Sequence, residues 1–501
     1  MGLAGRRRAP RALFFIAAAL VTALTIAPAP ASAAEQHAYA AGMNYATATI
    51  TIGKGDKLTF TNLDNVAKHD LLDHDGKFGS DLIGAGQSSP VRGVEKLDVG
   101  TYQFHCSLHS WMRGVLQVTP AGGSGSPSAP TVGGGGAGSP TAGSAATPDP
   151  YDIWVHAAQA PIGKASWPFY GKDLANSRDG GKQAPAPSQV AGLGVAWSFH
   201  SGWGDFLGTP NVARGTVVGG TFGGHVVALD ATTGKLKWHY AIGQPINNSV
   251  AIAGGRVFVP VAQPHSPRMV ALSLKTGKKL WDVPVDTQKD SDVYGSPVVW
   301  KKKVYIGICA LFGELGDPKV AVRGNVVALN VKTGKLKWRT FMVPPGNDGG
   351  SVWNTPAIDK QTGRLYAGTG NAYHAPAAPT TDSIASLDAR TGAMIGHFQA
   401  TAGDVWNATE GVGNGPDHDF GASPNLFTGP GGRKLVGEGQ KSGTYWALDR
   451  VTMRPAWNTF VGPYSEVGGV LGSTATDGAR IYGPDTVAGE EWAVGTDGAR
   501  R

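Results

Sequence analysis

The segment VVALDATTGKLKW (Val226–Trp238) decides the fold of the larger part of this 501-residue chain. Its first residues have the apolar, β-branched character of a strand, Thr-Gly supplies a tight turn, and the following residues return as a second strand ending in tryptophan. The pattern ends again at Trp281 in MVALSLKTGKKLW and at Trp338 in VVALNVKTGKLKW. Two altered copies follow, IASLDARTGAMIG with Gly396 in the tryptophan position and YWALDRVTMRPAW ending at Trp457. The chain therefore contains a repeated hairpin.

The spacing of the copies predicts a β-propeller. Trp238, Trp281 and Trp338 follow one another at intervals of 43 and 57 residues, the length of a four-stranded blade with variable loops. One blade cannot bury both of its faces, so stacked neighbours must cover them, and a recurring tryptophan can fill each seam. Further marks at Trp197 and Trp492 predict about six to eight blades. A smaller propeller and a truncated chain are both compatible with the incomplete copy near residue 501.

The composition favours an all-β protein. The chain contains 74 Gly and 33 Pro with 16% charged residues, which is typical of turn-rich β structure rather than long charged helices. The formal net charge is +7, part of it from the N-terminal GRRRAPR. There is neither a basic helix nor a run of lysines interleaved with aromatic residues, so we expect no nucleic-acid partner.

Residues 1–34 are predicted to be a signal peptide. They have a basic start, an apolar centre at Leu13–Ile26 and the small-residue cleavage region ASA at Ala31–Ala33. A membrane anchor is the competing interpretation, but the apolar run is short for a span and no other segment is long enough. We therefore expect a secreted or extracytoplasmic protein of the cell envelope, without a stable membrane span.

Residues 121–150 are predicted to be a flexible linker. Their Gly, Ser and Pro content leaves almost no apolar surface to bury, and a coil of this length spans roughly 30 Å. The linker separates a small domain, residues 35–120, from the propeller, residues 151–501.

A copper site is predicted in the domain before the linker. Cys106 is followed by His109 after three residues and by Met112 after three more. A thiolate, an imidazole and a thioether are ligands that select copper over magnesium or calcium. A second imidazole is needed, and His69, which follows the strand segment FTNLDNVAK, fits better than the nearby His74.

The strands around this site predict a small β-sandwich. ATITIGKGDKLTFTNLD alternates apolar and polar residues with turn punctuation, and GVLQVTP continues the pattern after the site. Because side chains alternate along a strand, His105 should point away from Cys106 and lie at the surface. The competing interpretation makes His105 a ligand of a second copper, as in nitrite reductases. The other cysteine, Cys309, lies in the apolar VYIGICALF and is predicted to be a buried strand residue.

The small domain resembles the cupredoxins through its NLD…H segment, its C-x2-H-x2-M spacing and its GVLQV strand. The short ligand loop is most similar to that of amicyanin. The resemblance implies a type 1, or blue, copper ion that transfers single electrons. Its ligands would be His69, Cys106, His109 and Met112.

Residues 151–501 resemble the propellers of pyrroloquinoline quinone (PQQ) proteins. The repeats and the segment SWPFYGKDLANSRDGG (Ser166–Gly181) are similar to those of quinoprotein alcohol dehydrogenases, particularly the polyvinyl-alcohol dehydrogenase group. The resemblance implies PQQ and calcium as cofactors and a small-molecule or polymeric alcohol as substrate. The repeats alone predict only a fold, because non-catalytic scaffold propellers share them.

The resemblance also implies a set of site residues. In GGSVWNTPAIDKQTGRLYAGTGNAYH, Trp353 corresponds to the tryptophan that stacks on the quinone and Asn371 to a calcium ligand. CALFGELGDPKVAVRGNVVAL supplies Glu314 as the acidic calcium ligand and Arg323 near the cofactor. In EGQKSGTYWALDR, Lys441 stands where the family has a basic residue facing the quinone carbonyls. Taken one at a time, these residues have other interpretations. Trp353 could fill a seam between blades, Glu314 could be an ordinary loop carboxylate, and Asn371 could belong to a Thr-Gly-Asn turn.

The chemistry of this set is coherent. A carboxylate and an amide oxygen suit a hard cation that polarises a quinone carbonyl, and an apolar floor with a lysine suits a planar anion. The general base of the family is an aspartate between TGN and the next repeat. The only acid there is Asp382, which lies slightly late, and we predict it as the catalytic base beside Lys441.

Together these features predict an exported quinoprotein dehydrogenase that oxidises an alcohol and passes electrons to a tethered copper domain, with a separate redox protein as a further partner. Tethering would raise the effective concentration of the electron acceptor. The alternative is a non-catalytic propeller scaffold that carries an electron-transfer or copper-binding module.

Overall fold

A computed structural model describes residues 35–41, 44–45, 49–62, 68–73, 75–84, 86–107, 112–120, 151–155, 166–262, 266–310, 313–314, 317–407, 415–464, 468–486 and 491–500. The predicted signal peptide (1–34), the predicted linker (121–150), His74 and His109 lie outside the described residues. The chain divides into two compact units. The first holds most of the described residues up to Pro120, and the second holds those from Tyr151 onwards.

The described part of the first unit contains eight strands: β1 (Glu35–Ala41), β2 (Asn44–Tyr45), β3 (Thr49–Gly53), β4 (Lys57–Asn62), β5 (Leu72–Asp73), β6 (Ser88–Pro90), β7 (Gly100–His105) and β8 (Arg113–Thr119). They form two four-stranded sheets in the orders β2-β1-β4-β6 and β3-β8-β7-β5. The pairs β1–β4 and β3–β8 are parallel. Side chains of both sheets, including Phe60 and Leu116, belong to one apolar core, because alternate residues of each strand point inward.

The second unit is almost entirely β structure. Its described strands are β9 (Tyr151–Val155), β10 (Trp197–Ser201), β11 (Asn211–Ala213), β12 (Thr216–Gly220), β13 (His225–Asp230), β14 (Leu236–Ala241), β15 (Ala251–Ala253), β16 (Arg256–Val261), β17 (Arg268–Ser273), β18 (Lys279–Pro284), β19 (Val298–Trp300), β20 (Lys303–Ile308), β21 (Asn325–Asn330), β22 (Leu336–Phe341), β23 (Ala357–Asp359), β24 (Arg364–Gly368), β25 (Ser383–Asp388), β26 (Met394–Gln399), β27 (Asn425–Thr428), β28 (Lys434–Gly439), β29 (Thr444–Asp449), β30 (Pro455–Phe460), β31 (Ala475–Thr476), β32 (Arg480–Pro484) and β33 (Glu491–Gly495). Short helical segments occur at Val94–Lys96 in the first unit and at Gly181–Gln183, Pro187–Val190 (α1) and Pro430–Gly432 in the second. No helix within the described ranges is both long and apolar enough to cross a membrane.

The strands of the second unit form successive antiparallel blades. Within the described residues, five blades have four strands each, β11–β14, β15–β18, β19–β22, β23–β26 and β27–β30, and β31–β33 form a three-stranded sheet. Strands β9 and β10 pair with each other. In every four-stranded blade the sequence repeat supplies the third strand, the turn and the fourth strand, so the predicted propeller architecture is confirmed.

The repeated tryptophan fills the seam between blades, as predicted. The indole N–H of Trp238 donates a hydrogen bond of 2.9 Å to the carbonyl of Leu274 in the next blade. Gly277, in the turn that follows, has φ +69°, and a Cβ there would lie 2.7 Å from the Trp238 ring. The turn glycine therefore provides both a left-handed backbone and a flat surface for the indole. The same indole-to-carbonyl bond joins Trp197 to Ala231, Trp281 to Val331, Trp338 to Ala389, and Trp457 to Thr496.

One seam is built differently. Gly396 occupies the tryptophan position of the β23–β26 blade, and the turn of the following blade carries Met453 where the others carry glycine. Met453 is buried, has φ +57°, and its Cγ would lie 3.5 Å from a Cβ on Gly396. The methionine side chain thus fills the space that an indole fills elsewhere.

Candidate functional site

The predicted site residues of the propeller fall in equivalent loops of successive blades. Glu314 lies between β20 and β21, Asn371 and Asp382 lie between β24 and β25, and Lys441 lies between β28 and β29. Each loop joins the second and third strands of its blade. Because equivalent loops of a propeller emerge on one face, the repeat itself brings these distant residues to the same side of the ring.

Lys441 is the positive centre of this face. Its Nζ donates hydrogen bonds of 2.8 and 2.9 Å to the two carboxylate oxygens of Asp417, and it lies 3.4 Å from Oδ2 of Asp419. Burial alone would lower the pKa of Lys441, but the negative charges of Asp419 and Asp417 raise it above its ordinary value. Lys441 therefore stays protonated in a site from which water is largely excluded.

Several carboxyl groups lie around this lysine. Burial, then the neighbouring charge of Asp419, raises the pKa of Glu314 to about 8. The same two causes raise the pKa of Asp417. Buried carboxyl groups behave in this way when they share too little positive charge. A cation bound beside these carboxyl groups would stabilise their ionised forms.

Asn371 and Asp419 are held together. The backbone N–H of Asn371 donates a hydrogen bond of 2.7 Å to Oδ1 of Asp419, and its side-chain amide donates to the carbonyls of Ala372 and Trp406, each at 2.7 Å. With its N–H groups engaged in this way, the amide presents its oxygen as an acceptor. Gly370 makes the contact feasible, because a Cβ there would lie 2.7 Å from Oδ1 of Asp419. The glycine of the Thr-Gly-Asn segment is therefore needed for the approach of a carboxylate.

Trp353 forms an aromatic floor beside the cluster. Nζ of Lys441 lies 5.6 Å from the centroid of the Trp353 ring and 5.7 Å from that of Trp406. Tyr294 meets Trp353 edge-on at 6.1 Å, and a Cβ on Gly421 would lie 2.1 Å from the indole. Trp353 therefore lies against neighbouring backbone and beneath a cation, and it does not occupy the repeated seam position.

The cluster fits a calcium ion and a planar anion. Glu314, Asn371 and Asp419 offer carboxylate and amide oxygens, the donors that calcium prefers. No three His, Cys, Asp or Glu side chains within the described part of the chain already converge on one metal position. An amide oxygen and atoms of the cofactor would therefore have to complete the coordination sphere. Trp353 and Lys441 are suited to the ring and the charge of a quinone carboxylate.

The side chains of two further predicted site residues, Arg323 and Asp382, either contact other groups or lack a hydrogen-bond partner among the described residues. Nε and Nη2 of Arg323 donate to the carbonyl of Val343 at 3.1 and 2.6 Å, and the guanidinium stacks on Phe341 at 4.0 Å. Asp382 is fully buried with φ +48°, and its carboxyl oxygens have no hydrogen-bond partner among the described residues. Burial, then the charge of Asp419, raises its pKa well above the ordinary value.

Asp417 and Asp419 were not predicted from the sequence. They lie in GPDHDF, in the connection between β26 and β27, outside the interval between Thr-Gly-Asn and the next strand where the resemblance places the base. The sequence feature that could have identified them is the Asp-x-Asp spacing shortly before β27, the first strand of its blade.

The first unit brings three predicted copper ligands together. Nδ1 of His69 lies 3.8 Å from Sγ of Cys106, and the backbone N–H of Cys106 donates a hydrogen bond of 3.0 Å to the carbonyl of Met112. All three side chains are buried. An imidazole and a thiol at this separation, with a thioether in the same core, have the donor chemistry of a copper site.

Adjacent residues connect the segments that carry these ligands. The carboxylate of Asp70, next to His69, accepts hydrogen bonds from the backbone N–H of Ser107 at 2.7 Å and from its hydroxyl at 2.5 Å. Ser107 follows Cys106 directly, so the two bonds fix the imidazole segment against the cysteine segment.

Comparison with known proteins agrees with the propeller. The PQQ_2 family model, described as outer membrane protein assembly factor BamB, matches residues 154–382. The chain is 29% identical over 363 residues to a polyvinylalcohol dehydrogenase of Pseudomonas sp., covering 63% of this chain and 54% of the relative. It is 28% identical over 333 residues to quinohemoprotein alcohol dehydrogenase ADH IIB of Pseudomonas putida, covering 57% and 46%. The chain spans about half the length of the curated relatives it matches.

Solved structures share the fold. Quinohemoprotein alcohol dehydrogenase from Comamonas testosteroni has a TM-score of 0.52 at 22% identity, covering 67% of this chain and 59% of that chain. A europium-containing methanol dehydrogenase has a TM-score of 0.53 at 21% identity, covering 64% and 69%. The second unit is a PQQ-type β-propeller that resembles polyvinyl alcohol and quinoprotein alcohol dehydrogenases.

Proposed function

We propose that the propeller is a PQQ- and calcium-dependent alcohol dehydrogenase. The observation that carries the proposal is the cluster around Lys441, in which a protonated amine, an aromatic floor and several carboxyl groups meet on one face. The names of the relatives support an alcohol as substrate, either a small molecule or a polymer. When bound, PQQ would supply a two-electron acceptor whose carbonyl is polarised by calcium.

The chain's own residues would position the reactants. Trp353 would carry the ring on its face, with Lys441 supplying positive charge. Glu314 and Asn371 would hold calcium, with Asp419 beside them. Arg323 would act by fixing the loop through Val343, because its guanidinium is engaged there.

The proton acceptor would be a buried aspartate of this face. The sequence proposes Asp382, whereas the geometry favours Asp417, because Lys441 bonds both of its carboxylate oxygens and lies over Trp353. A general base must lie near the reacting group, and the bonds from Lys441 partly offset the rise in the pKa of Asp417 that its burial and the charge of Asp419 cause. Comparing Asp417→Asn with Asp382→Asn distinguishes the two, since only the true base variant would lose turnover while retaining quinone binding.

We further propose that the first unit is a cupredoxin-like electron acceptor with a type 1 copper. His69, Cys106 and Met112 would bind the ion with His109 as the fourth ligand, and the Asp70–Ser107 bonds would hold the ligand segments. The exported location proposed from residues 1–34 would place the protein in or beyond the cell envelope, where a separate redox protein could take electrons from the copper.

Reconstitution tests the enzymatic proposal. Purified full-length protein, incubated with PQQ and calcium, should reduce an artificial electron acceptor when primary or secondary alcohols are added. Lys441→Met should lose most of this activity, while Lys434→Met, an exposed lysine of β28, should retain it. The matching family model is described as an assembly factor, which makes a scaffold propeller the second candidate. Absence of saturable PQQ binding with calcium present would favour the scaffold.

A further inference from the structure

Two histidines face each other on the β13–β14 hairpin of the first four-stranded blade. In the register of this hairpin, His225 of β13 pairs with Ala241, and Val227 pairs with His239 of β14. The two histidines are therefore diagonal neighbours on one face of the hairpin, where long side chains can reach each other. Nδ1 of His225 lies 2.6 Å from Nε2 of His239. Two imidazole nitrogens thus converge on one point of the second unit.

The two imidazole rings lie side by side in one layer. Their centroids are 4.9 Å apart and their planes differ by 11°, so the facing nitrogens point towards each other across the gap. The indole of Trp203 lies against both rings, at 4.1 Å and 2° from His239 and at 5.6 Å and 11° from His225. The indole is therefore a flat support that orients the pair.

The neighbouring backbone holds Trp203 in this position. The buried hydroxyl of Thr221 donates to the carbonyl of Trp203 at 2.8 Å and accepts from the backbone N–H of His225 at 3.2 Å. A Cβ on Gly223 would lie 2.2 Å from the carbonyl oxygen of Trp203, so glycine is needed for this close approach. The indole and the first histidine are thus joined in one hydrogen-bonded arrangement before any ligand binds.

Other blades use the same two positions differently. In the β15–β18 blade the corresponding residues are Arg268 and Asp282, whose side chains form an ion pair of 2.6 Å. In the β19–β22 blade they are Asn325 and Arg339, with Nη1 of the arginine 3.4 Å from Oδ1 of the asparagine. Of the five described four-stranded blades, only β11–β14 has histidine at both positions. The repeat brings the two side chains together, and their identity gives this blade its chemistry.

The imidazole nitrogens determine the class of ligand. Burial, then the neighbouring His239, lowers the pKa of His225 to about 4, so protons do not compete for the pair at neutral pH. Imidazole suits zinc, nickel and copper, whereas magnesium and calcium prefer oxygen ligands. Among these divalent ions, copper(II) generally binds nitrogen ligands most tightly.

The pair can accept a metal ion after a small movement. A neutral imidazole can carry its proton on either nitrogen, so both facing nitrogens can offer lone pairs at once. Metal–nitrogen bonds of about 2.0–2.1 Å at a tetrahedral angle would place the two nitrogens roughly 3.3 Å apart. The rings therefore need to separate by less than ~1 Å, which the exposed His239 can provide by turning.

We infer that His225 and His239 form a binding site for a late first-row transition-metal ion, with copper(II) preferred over nickel and zinc. No group of three His, Cys, Asp or Glu side chains in the described part of the chain forms a metal site, so water would complete the coordination. An ion with two protein ligands and open positions differs from the closed, four-ligand sites of structural zinc. The inference does not depend on the proposed dehydrogenase or on the proposed type 1 copper.

Calorimetric titration of the full-length Cys106→Ser protein with copper(II), in excess calcium at about pH 7.5, tests the site. The serine removes a ligand of the proposed type 1 copper, and calcium competes for the carboxyl groups around Glu314. We expect His225→Gln and His239→Gln each to weaken the binding of one copper equivalent by at least tenfold, since each removes one of two ligands. His200→Gln, at an exposed histidine of β10, should bind like the parent protein. Nickel and zinc should bind at the same site more weakly.

The next blade supplies a control for folding. The double variant His225→Arg/His239→Asp introduces the pair that Arg268 and Asp282 form there, so it should melt close to the parent temperature while losing the copper site. Copper(II) bound beside the indole should quench the fluorescence of Trp203 in the parent protein. Trp203→Phe should lose this quenching and retain copper binding. If the double variant does not fold, the two single glutamine variants decide the question.

Three results would overturn the inference. The first is equal copper affinity in the parent protein and in both single glutamine variants. The second is copper binding that Glu314→Gln abolishes and His239→Gln leaves intact, which would assign the ion to the Lys441 cluster. The third is an electron paramagnetic resonance spectrum of the bound copper(II) without nitrogen hyperfine coupling, which would exclude imidazole ligands.

Discussion

The Glu314 carboxyl group on the propeller face lowers the stability of the folded chain. Glu314, with a pKa raised to about 8, is ionised less readily in the folded chain than in the unfolded chain. A carboxyl group of this kind favours unfolding increasingly as the pH rises above its unfolded pKa of about 4.3. Glu314 therefore does not stabilise the apo fold at neutral pH, which agrees with a role in binding.

We therefore expect Glu314→Gln to separate binding from stability. The neutral amide should reduce calcium-dependent PQQ binding by at least tenfold while leaving the melting temperature of the apo protein at about pH 7.5 unchanged or higher. Isothermal titration and a thermal scan measure the two effects. Glu491→Gln, at an exposed residue of β33, serves as the control. Unchanged PQQ affinity would remove Glu314 from the site.

The thiol of Cys106 gives a second test at this scale. Protein loaded with Cu(II) should be intensely blue through thiolate-to-copper charge transfer, as the resemblance to cupredoxins implies. Cys106→Ser should abolish the absorption, because a hydroxyl does not replace a soft thiolate ligand. Cys309→Ser, at the other buried cysteine, should leave it unchanged. A colourless Cu(II)-loaded wild type would exclude type 1 copper.

A pair of histidines on one hairpin predicts sensitivity to acid. Nδ1 of His225 lies 2.6 Å from Nε2 of His239, and Trp203 stacks on His239 at 4.1 Å. Burial, then the neighbouring His239, lowers the pKa of His225 to about 4. Burial also lowers the pKa of His239. Between the unfolded pKa of about 6.5 and pH 4 the unfolded chain binds more protons, so the free energy of unfolding falls as the pH falls.

His225→Gln should remove part of this pH dependence. The difference in melting temperature between about pH 7.5 and pH 5 should be smaller in the variant than in the wild type. His200→Gln, at an exposed histidine of β10, should retain the wild-type difference. Equal pH dependence in all three proteins would show that the pair does not titrate as described.

At the level of elements, the tryptophan seams explain why the fold was predictable from the sequence. Except in the two hairpins that carry Gly396 and Met453, each hairpin contains both the indole and the turn glycine, so a short stretch of sequence specifies the contact between neighbouring blades. Asp417 and Asp419 were missed for the opposite reason. They reach Lys441 through a connection between blades whose path depends on the closed packing of several sheets. The lack of hydrogen-bond partners for the amide of Asn247 among the described residues likewise depends on which groups the surrounding blades place beside it.

The altered seam offers a coupled test. Met453→Gly should destabilise the propeller by about 2 kcal/mol, because a buried side chain is lost. Gly396→Trp alone should destabilise it through a clash with Met453. The double variant recreates the tryptophan–glycine seam and should be more stable than the sum of the single effects predicts. Urea unfolding measures all four proteins, and strict additivity would show that the two positions are independent.

For the whole molecule, the proposal joins two redox units in one chain. If alcohol oxidation in the propeller reduces the copper of the same molecule, bleaching of the blue absorption should follow first-order kinetics at a rate independent of protein concentration. Cleavage within residues 121–150 should convert the reaction to a slower one that depends on concentration. Stopped-flow absorbance measures both. Bleaching that scales with concentration in the intact chain would show that the units do not exchange electrons within a molecule.

The seam between Gly396 and Met453 also limits how this ring can evolve. Most blades here match one another at their seams, since each offers an indole on one side and a glycine on the other. An exchange at this one boundary would set a methionine against a tryptophan, or leave a glycine facing a glycine. Two residues in neighbouring repeats thus mark a fixed position in the order of the blades, and we expect descendants of this gene to inherit them together.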